Sequence, residues 1–447
     1  MSIRKAGARK AAVAACLLAA SSLVLAGCSG DTKDKEAKAS EAPAAEATES
    51  AAEAPAGDAI EYWHRLPDAA GVDAVVAEWN AANPDAQVKA TKFEGSAADS
   101  YTKIGQAVKA GNAPCLAQAG YERLGDLYVQ GSLEDVSAAA AQFEGNYGAA
   151  GWSSAKVGDM TVGIPQDIGV LVYFYNKAAF KELGIEVPKT WDEFKVAAKT
   201  AADKGKYIGV FQPDEQMMLF SGVAASAGAK WFSTEGDAWK VTINDEATQK
   251  TAALWQELVD QKLVATFDRW GEEWAGKLTD GTIAGYVGAS WEAATWAFEG
   301  QTDWAVAPIP VFDAAKPATG MDGGSAVAVI KGCSNVEKAV AFADFLNTNI
   351  PAMQVQGLLP AAKGELTTPA DLKPIFGDQD VYKTLSEIAA TQNADFPFSP
   401  SFPAVGAKLG EVAGKIKTGE AKFADMITES QAVGVQALKD AGLKVAE

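Results

Sequence analysis

A single histidine, His64, stands in 447 residues. Metal sites built on imidazole, and nucleophiles relayed through a histidine, have almost no material here. Cysteine is nearly as scarce, with Cys16, Cys28, Cys115 and Cys333. Positive charge is in deficit: 39 Lys and Arg stand against 58 Asp and Glu, a formal net charge of −19. So acidic a chain argues against nucleic acid and anionic lipid as partners. Motifs of known chemistry are missing too, with no Gly-x-Ser-x-Gly, no His-Glu-x-x-His and no calcium loop. Gly271 to Lys277 carries the glycine-lysine end of a phosphate loop. Leu278 behind it has no hydroxyl for magnesium, and Glu272 and Glu273 would repel phosphate. No catalytic residue, no cofactor and no metal ligand is expected. The one long uncharged run, Ala11 to Gly27, falls short of the roughly 20 apolar residues of a spanning helix.

That run has another meaning. Arg4, Lys5, Arg9 and Lys10 precede it, and small residues close it at Leu25-Ala26-Gly27-Cys28. This is the three-part pattern of a secretory signal. A cysteine directly after Ala-Gly resembles a bacterial lipobox, which implies that residues 1–27 are removed and Cys28 is lipidated. Removal takes four basic residues and no acidic one, leaving 35 against 58, a formal −23. Residues 28–57 follow as a tether. From Ser29 to Gly57 there is no aromatic residue and no Ile, Leu, Val or Met, too little apolar surface to offset the entropy of ordering. The protein is expected at the extracellular face of the cell membrane, held by lipid alone, in a bacterium of the Gram-positive kind.

The remaining 390 residues are too many for one ordinary core and indicate two domains. Helical and extended patterns alternate. Strands are expected at Ile60–Trp63, Val88–Thr91 and Cys115–Ala119, with helices between them carrying Val72, Val75, Val76 and Trp79, then Tyr101, Ile104 and Val108. That order implies a parallel sheet faced by helices. Further strands are read at Leu171–Tyr175, Ala284–Val287 and Val327–Ile330. Helices are read at Ala247–Leu263, at Val336–Leu346, and after Thr190, where Glu193 completes a capping box. Cys115 and Cys333 are either a disulfide or two buried thiols; spacing alone does not decide.

Aromatic residues carry the functional signal. Of twelve tryptophans, Trp270, Trp274, Trp291 and Trp296 share one short window with Phe267, Tyr286 and Phe298. Flat C–H faces of sugars stack on aromatic rings, and sugar hydroxyls need polar side chains at the rim. Most of these large rings are nevertheless expected in the core.

The motifs then follow a known order. They are Gly111-Asn112-Ala113-Pro114, Gly163-Ile164-Pro165, Val172 to Lys177, Val187 to Phe194, Gly281 to Val287 with Trp291, Ala307 to Pro310, Gly323 to Val329, Ala339 to Leu346, and Leu359-Pro360-Ala361. This series resembles the solute-binding proteins of carbohydrate ABC importers, in the branch of maltose-binding protein. The Tyr62 to Asp68 run is similar to actinobacterial importers of short oligosaccharides, raffinose-type α-1,6-galactosides among them. The departure is Cys115, where an aspartate is usual.

The resemblance implies an α/β fold of two lobes, three hinge crossings and a ligand cleft between them. It implies residues 58–165 with 308–349 in the first lobe, and 166–307 with 350–447 in the second. Carried over, Trp291 is the stacking ring of the second lobe. Tyr121, Glu122, Trp63 and His64 are first-lobe contacts at strand ends, and Asp322 and Asp395 bind hydroxyls. Cys115 and Cys333 fall in one lobe under this architecture, which makes their pairing feasible. Each site residue has a plainer reading: His64 as a satisfied histidine, Asp322 as a turn cap, Asp395 as a loop end. The implied partners are an oligosaccharide and the transmembrane permease subunits, with the protein itself a monomer and not an enzyme. A surface glycan hydrolase and a binder of a non-sugar solute are the alternatives.

Overall fold

The computed structural model describes residues 59–269, 271–295 and 298–446. The leader, Cys28, the tether, Trp270 and Trp296 lie outside the described residues.

The first lobe is built as its sequence pattern predicts. β1 (Ile60–His64), α1 (Ala69–Ala82), β2 (Val88–Lys92), α2 (Ala97–Ala110), β3 (Leu116–Gly120) and α3 (Tyr121–Val129) follow one another. Val72, Val75, Val76 and Trp79 form the buried stripe of α1. Ser96 and Asp99 cap α2 reciprocally, and Gly111 ends it in the left-handed conformation that glycine adopts without strain. β1 pairs in parallel with both β2 and β3.

Two long strands then tie the lobes together. β4 runs from Gly163 to Asn176, well beyond the stretch its apolar residues suggest. β5 (Gly285–Ala289) and β6 (Trp304–Ala307) pair antiparallel with its far half. β7 (Met321–Val329) pairs antiparallel with β3 and with the near half of β4. The seven strands form one sheet in the order β5-β4-β7-β3-β1-β2, with β6 also on β4.

Period-two burial sends alternate side chains to opposite faces. In the first lobe Ile60, Tyr62, Val327 and Val329 pack with Val72, Val75 and Val340. Ala117, Ala119, Ala326 and Ala328 pack with Tyr101, Ile104 and Leu124. In the second lobe Leu171 and Tyr173 meet Trp191, Phe194 and Trp255, while Val172, Phe174 and Tyr286 meet Trp274 and Phe298. Of the described rings in that window, Trp274, Tyr286 and Phe298 are core, as expected of large rings. Thr190 and Glu193 make the anticipated capping box.

Two lobe boundaries differ from expectation. Ile309 is buried in the second-lobe core, and Phe312 packs there on Trp191 at 6.0 Å. The second crossing is therefore not at Pro308 but at Gly320–Ser325, where Gly323 and Gly324 both have φ of +86°. The prolines end a strand without turning the chain to the other lobe. Ile350, Met353, Leu358 and Ala361 pack with Val72 and Val75 of the first lobe. Gln356 bonds the Asp68 main chain through both its amide oxygen and nitrogen, at 2.9 Å each. The third crossing accordingly follows Ala362 rather than Asn349.

Cys115 and Cys333 form a disulfide with Cα atoms 4.5 Å apart. It joins the entry of β3 to the turn after β7, within one lobe.

Candidate functional site

The crossing glycines bring the two lobes' side chains together. A Cβ added at Gly323 would lie 2.8 Å from Trp291 Nε1, and one at Gly324 would lie 2.9 Å from the Tyr121 ring. Two consecutive glycines therefore seat one aromatic ring from each lobe. Gly169 of β4 completes the close approach, since a Cβ there would strike the Asp322 carbonyl.

Tyr121 opens α3, is buried, and donates its hydroxyl hydrogen to the Asp167 carbonyl at 3.0 Å. Asp167 in turn accepts from Ser325 N at 3.0 Å and Ser325 Oγ at 2.5 Å, pinning β4 to β7 on the first-lobe side of the glycine pair. Burial pushes the Asp167 carboxyl up to about 6.

Trp291 lies on the short 3₁₀ turn Ser290–Ala294 that follows β5, and it is half-buried. The Arg269 guanidinium stands over its ring at 5.5 Å. Arg269 is ion-paired with Glu292, both side chains being 1% exposed. Glu292 also accepts from the Ala289 N–H, and from the Tyr286 hydroxyl at 3.0 Å. Asp322 is buried beside this group. Desolvation raises its carboxyl to about 8; Arg269 opposes that rise, while Glu215, Glu292 and Glu122 add to it. Glu122 belongs to the first lobe, so carboxyls of both lobes converge on one place.

A cleft of about 550 Å³ opens beside Tyr121. From the first lobe it is lined by Tyr121, Ser153 and Lys156, and from the second by Lys230, Asn393, Phe396 and Phe398. Rings (Tyr121, Phe396, Phe398), the Asn393 amide, the Ser153 hydroxyl and two lysines line it, a mixture of apolar faces and polar groups that suits a polyhydroxylated ligand. Among the described residues, no group of three or more His, Cys, Asp or Glu is arranged to hold a metal ion.

The structure thus gathers Tyr121, Glu122, Trp291 and Asp322. It places the other three expected contacts elsewhere. Trp63 points to the α2 side, with Nε1 bonded to Glu61 at 2.9 Å and Lys103 over its ring at 4.7 Å. His64 is buried against Tyr62 at a centroid distance of 5.4 Å. Desolvation lowers its imidazole to about 4, and its charged neighbours are Asp73 and Lys92, on α1 and β2. It is a core histidine at a strand end. Asp395 is exposed and pairs with Lys230 at 2.6 Å; its neighbours Ala394 and Phe396, not Asp395 itself, line the cleft.

Sequence reasoning missed Arg269, Glu292, Asp167 and the cleft-lining Phe398. Arg269 adjoins the aromatic window and Glu292 follows Trp291, so position in sequence was the available signal. A buried ion pair has no sequence pattern of its own.

The sequence profile of the family described as bacterial extracellular solute-binding protein matches residues 63–353. This chain belongs to that family. Among solved structures, the solute-binding protein is 42% identical to the galacto-N-biose/lacto-N-biose I-binding protein of a Bifidobacterium longum ABC transporter. That match has a TM-score of 0.83 over 87% of this chain and 98% of the other. An ABC-transporter-associated binding protein of B. animalis subsp. lactis Bl-04, solved with β-1,6-galactobiose, is 25% identical at a TM-score of 0.75 over 87% and 99%. A maltooligosaccharide ABC transporter solute-binding lipoprotein of Streptococcus pneumoniae R6 is 27% identical over 59% of this chain and 62% of its own. The first curated relatives are matched over 48% to 64% of their length.

Proposed function

We propose that this protein binds a short, neutral, galactose-containing oligosaccharide between its lobes and delivers it to the transmembrane subunits of an ABC importer. The observation that carries the reading is the meeting of Trp291 and Tyr121 on Gly323 and Gly324, beside Glu122 and Asp322. Trp291, partly exposed, offers a ring face to sugar C–H groups, and Glu122, partly exposed, a carboxyl to hydroxyls, with Tyr121 and Asp322 buried beside them. The 42% identity to a galactoside-type binding protein supports the sugar class. Binding shifts an open–closed equilibrium by rotation at the glycine crossing, and the closed form docks on the permease. Cys28 carries the lipid that holds the protein at the outer face of the membrane.

The test is a thermal-shift screen followed by calorimetric titration. The panel contains lacto-N-biose, β-1,6-galactobiose, raffinose, maltotriose and a polyamine. A ligand at 100 times its dissociation constant stabilises by about 2.7 kcal/mol. Stabilisation by a galactoside is expected, with raffinose deciding whether the α-1,6 linkage is accepted. A shift only with the polyamine would overturn the sugar reading. Release of monosaccharide during incubation would turn it to a hydrolase.

A further inference from the structure

A glycine in the middle of a helix weakens it relative to alanine. Gly125 holds that place in α3, one turn after Tyr121 and on the same face. Both residues line the interlobe cleft. Tyr121 meets the crossing strand at Gly324, while Gly125 meets the second lobe. A Cβ at Gly125 would lie 3.3 Å from Pro400 N, and 3.6 Å from both Cα and Cδ of that proline. Leu124 and Leu127 of α3 are buried in a first-lobe cluster. Pro400 stands just before the helix Phe402–Thr418, whose Phe402, Val405 and Leu409 are buried in the second-lobe core. The main chains of the two lobes therefore touch at this point, over the one residue of the α3 face that has no side chain.

Pro400 is poorly placed to give way. Its ring fixes its own φ. Ser399 and Ser401 on either side are buried, with hydroxyl oxygens 2.8 Å apart, and Ser399 Oγ accepts from Ser401 N at 3.2 Å. The Ser399 carbonyl accepts from Phe402 N at 3.0 Å. Phe398 lies against Phe402 at a centroid distance of 4.6 Å and packs on the cores of both lobes. A push on Pro400 is thus passed to the second lobe as a body, since packed interiors transmit strain.

We propose that Gly125 sets the width of the interlobe cleft. Its missing side chain lets the turn at 399–401 close on α3, and a side chain there would hold the lobes apart and weaken sugar binding from a distance. Gly125 is a positioning residue, with no contact to the sugar assigned to it. The inference rests on the sugar-binding reading above.

Lacto-N-biose and β-1,6-galactobiose are the probes. Gly125→Leu is expected to weaken both about tenfold and by the same factor, the lower end of the cost of overpacking. Gly125→Ala should weaken both by less. Melting temperatures should not fall in parallel, because leucine and alanine favour a helix more than glycine does. Small-angle X-ray scattering of the sugar-free protein should give a larger radius of gyration for Gly125→Leu than for the native chain. Native affinity in Gly125→Leu, or a loss confined to one of the two sugars, overturns the proposal. An unchanged radius of gyration overturns it whatever the ligand is. If the leucine variant fails to fold, the same readings on Gly125→Ala decide. A native protein that binds neither probe overturns the galactoside reading instead, and the scattering comparison still judges the role of Gly125.

Discussion

Gly323 lies so close to the indole of Trp291 that a Cβ would stand 2.8 Å from Nε1. Its φ of +86° adds backbone strain for any other residue. Gly323→Ala is expected to push the ring from its seat and weaken sugar binding. Trp291→Ala should cost roughly 2 kcal/mol, or about thirtyfold in affinity, on the scale of aromatic interface hot spots. Titration and melting of the same variant separate binding from folding. Native affinity with a collapse of about 3–5 kcal/mol, as for a core ring, would transfer the stacking role to Tyr121.

The Arg269–Glu292 pair is buried on both sides. Arg269→Met alone leaves Glu292 buried without its cation and beside Asp322, with the Ala289 N–H and Tyr286 hydroxyl as supports. A loss of about 3–5 kcal/mol is expected. Adding Glu292→Gln should restore much of it, since no charge is then stranded. Denaturant melts of the single and double variants measure the difference; equal losses would refute the coupling.

Stability should fall as pH rises from 6.5 to 8. A carboxyl whose folded midpoint is raised binds its proton in the native state after the unfolded state has lost its own. Stability is therefore lost as pH climbs toward the folded value. Asp322, near 8, acts across this window, whereas Asp167, near 6, completes its contribution below it. His64 acts with the opposite sign: lowered to about 4, it lets stability rise between 4 and 6.5, and is silent above. Asp322→Asn should flatten the decline, at most about 1.4 kcal/mol per pH unit. Melting curves between pH 6.5 and 8 that keep their slope in this variant would exclude Asp322 as the source.

The Cys115–Cys333 bond closes a loop with a sequence separation of 218. In the chain-entropy model it contributes about 5.4 kcal/mol. A denatured protein beginning at residue 58 should show no free thiol, and Cys115→Ser with Cys333→Ser should lower the melting temperature. Two thiols per chain would contradict the bridge.

Cys28→Ala should release the protein from the membrane fraction with sugar affinity unchanged, because anchor and lobes are joined by a tether without aromatic, Ile, Leu, Val or Met residues. A variant that sediments with membranes would refute the lipid anchor.

Local pattern was enough for much of the fold. The apolar spacing of Val72, Val75, Val76 and Trp79 predicts α1, and Thr190 with Glu193 predicts the start of the helix Trp191–Ala202. Both rest on contacts between residues close in sequence, which one strand of text carries. The lobe boundaries near Pro308 and Asn349 were misplaced for the opposite reason. Whether Ile309 or Met353 packs on one core or another depends on partners 100 residues and more away, such as Trp191 and Val72.

The site divides in the same way. By itself the sequence determined the acidic balance, the order of strands and helices, and the aromatic and acidic residue types a sugar site needs, and it alone is the ground for the proposed signal and anchoring cysteine. Each of these is a property of composition or of short spacing. Only the tertiary structure decided which of those residues meet. Tyr121, Glu122, Trp291 and Asp322 are brought together because Gly169, Gly323 and Gly324 let two crossing strands approach without side chains between them. Trp63 and His64, at the end of β1, turn to other faces, because a β-strand sends neighbours to opposite sides and α1 and α2 pack on both.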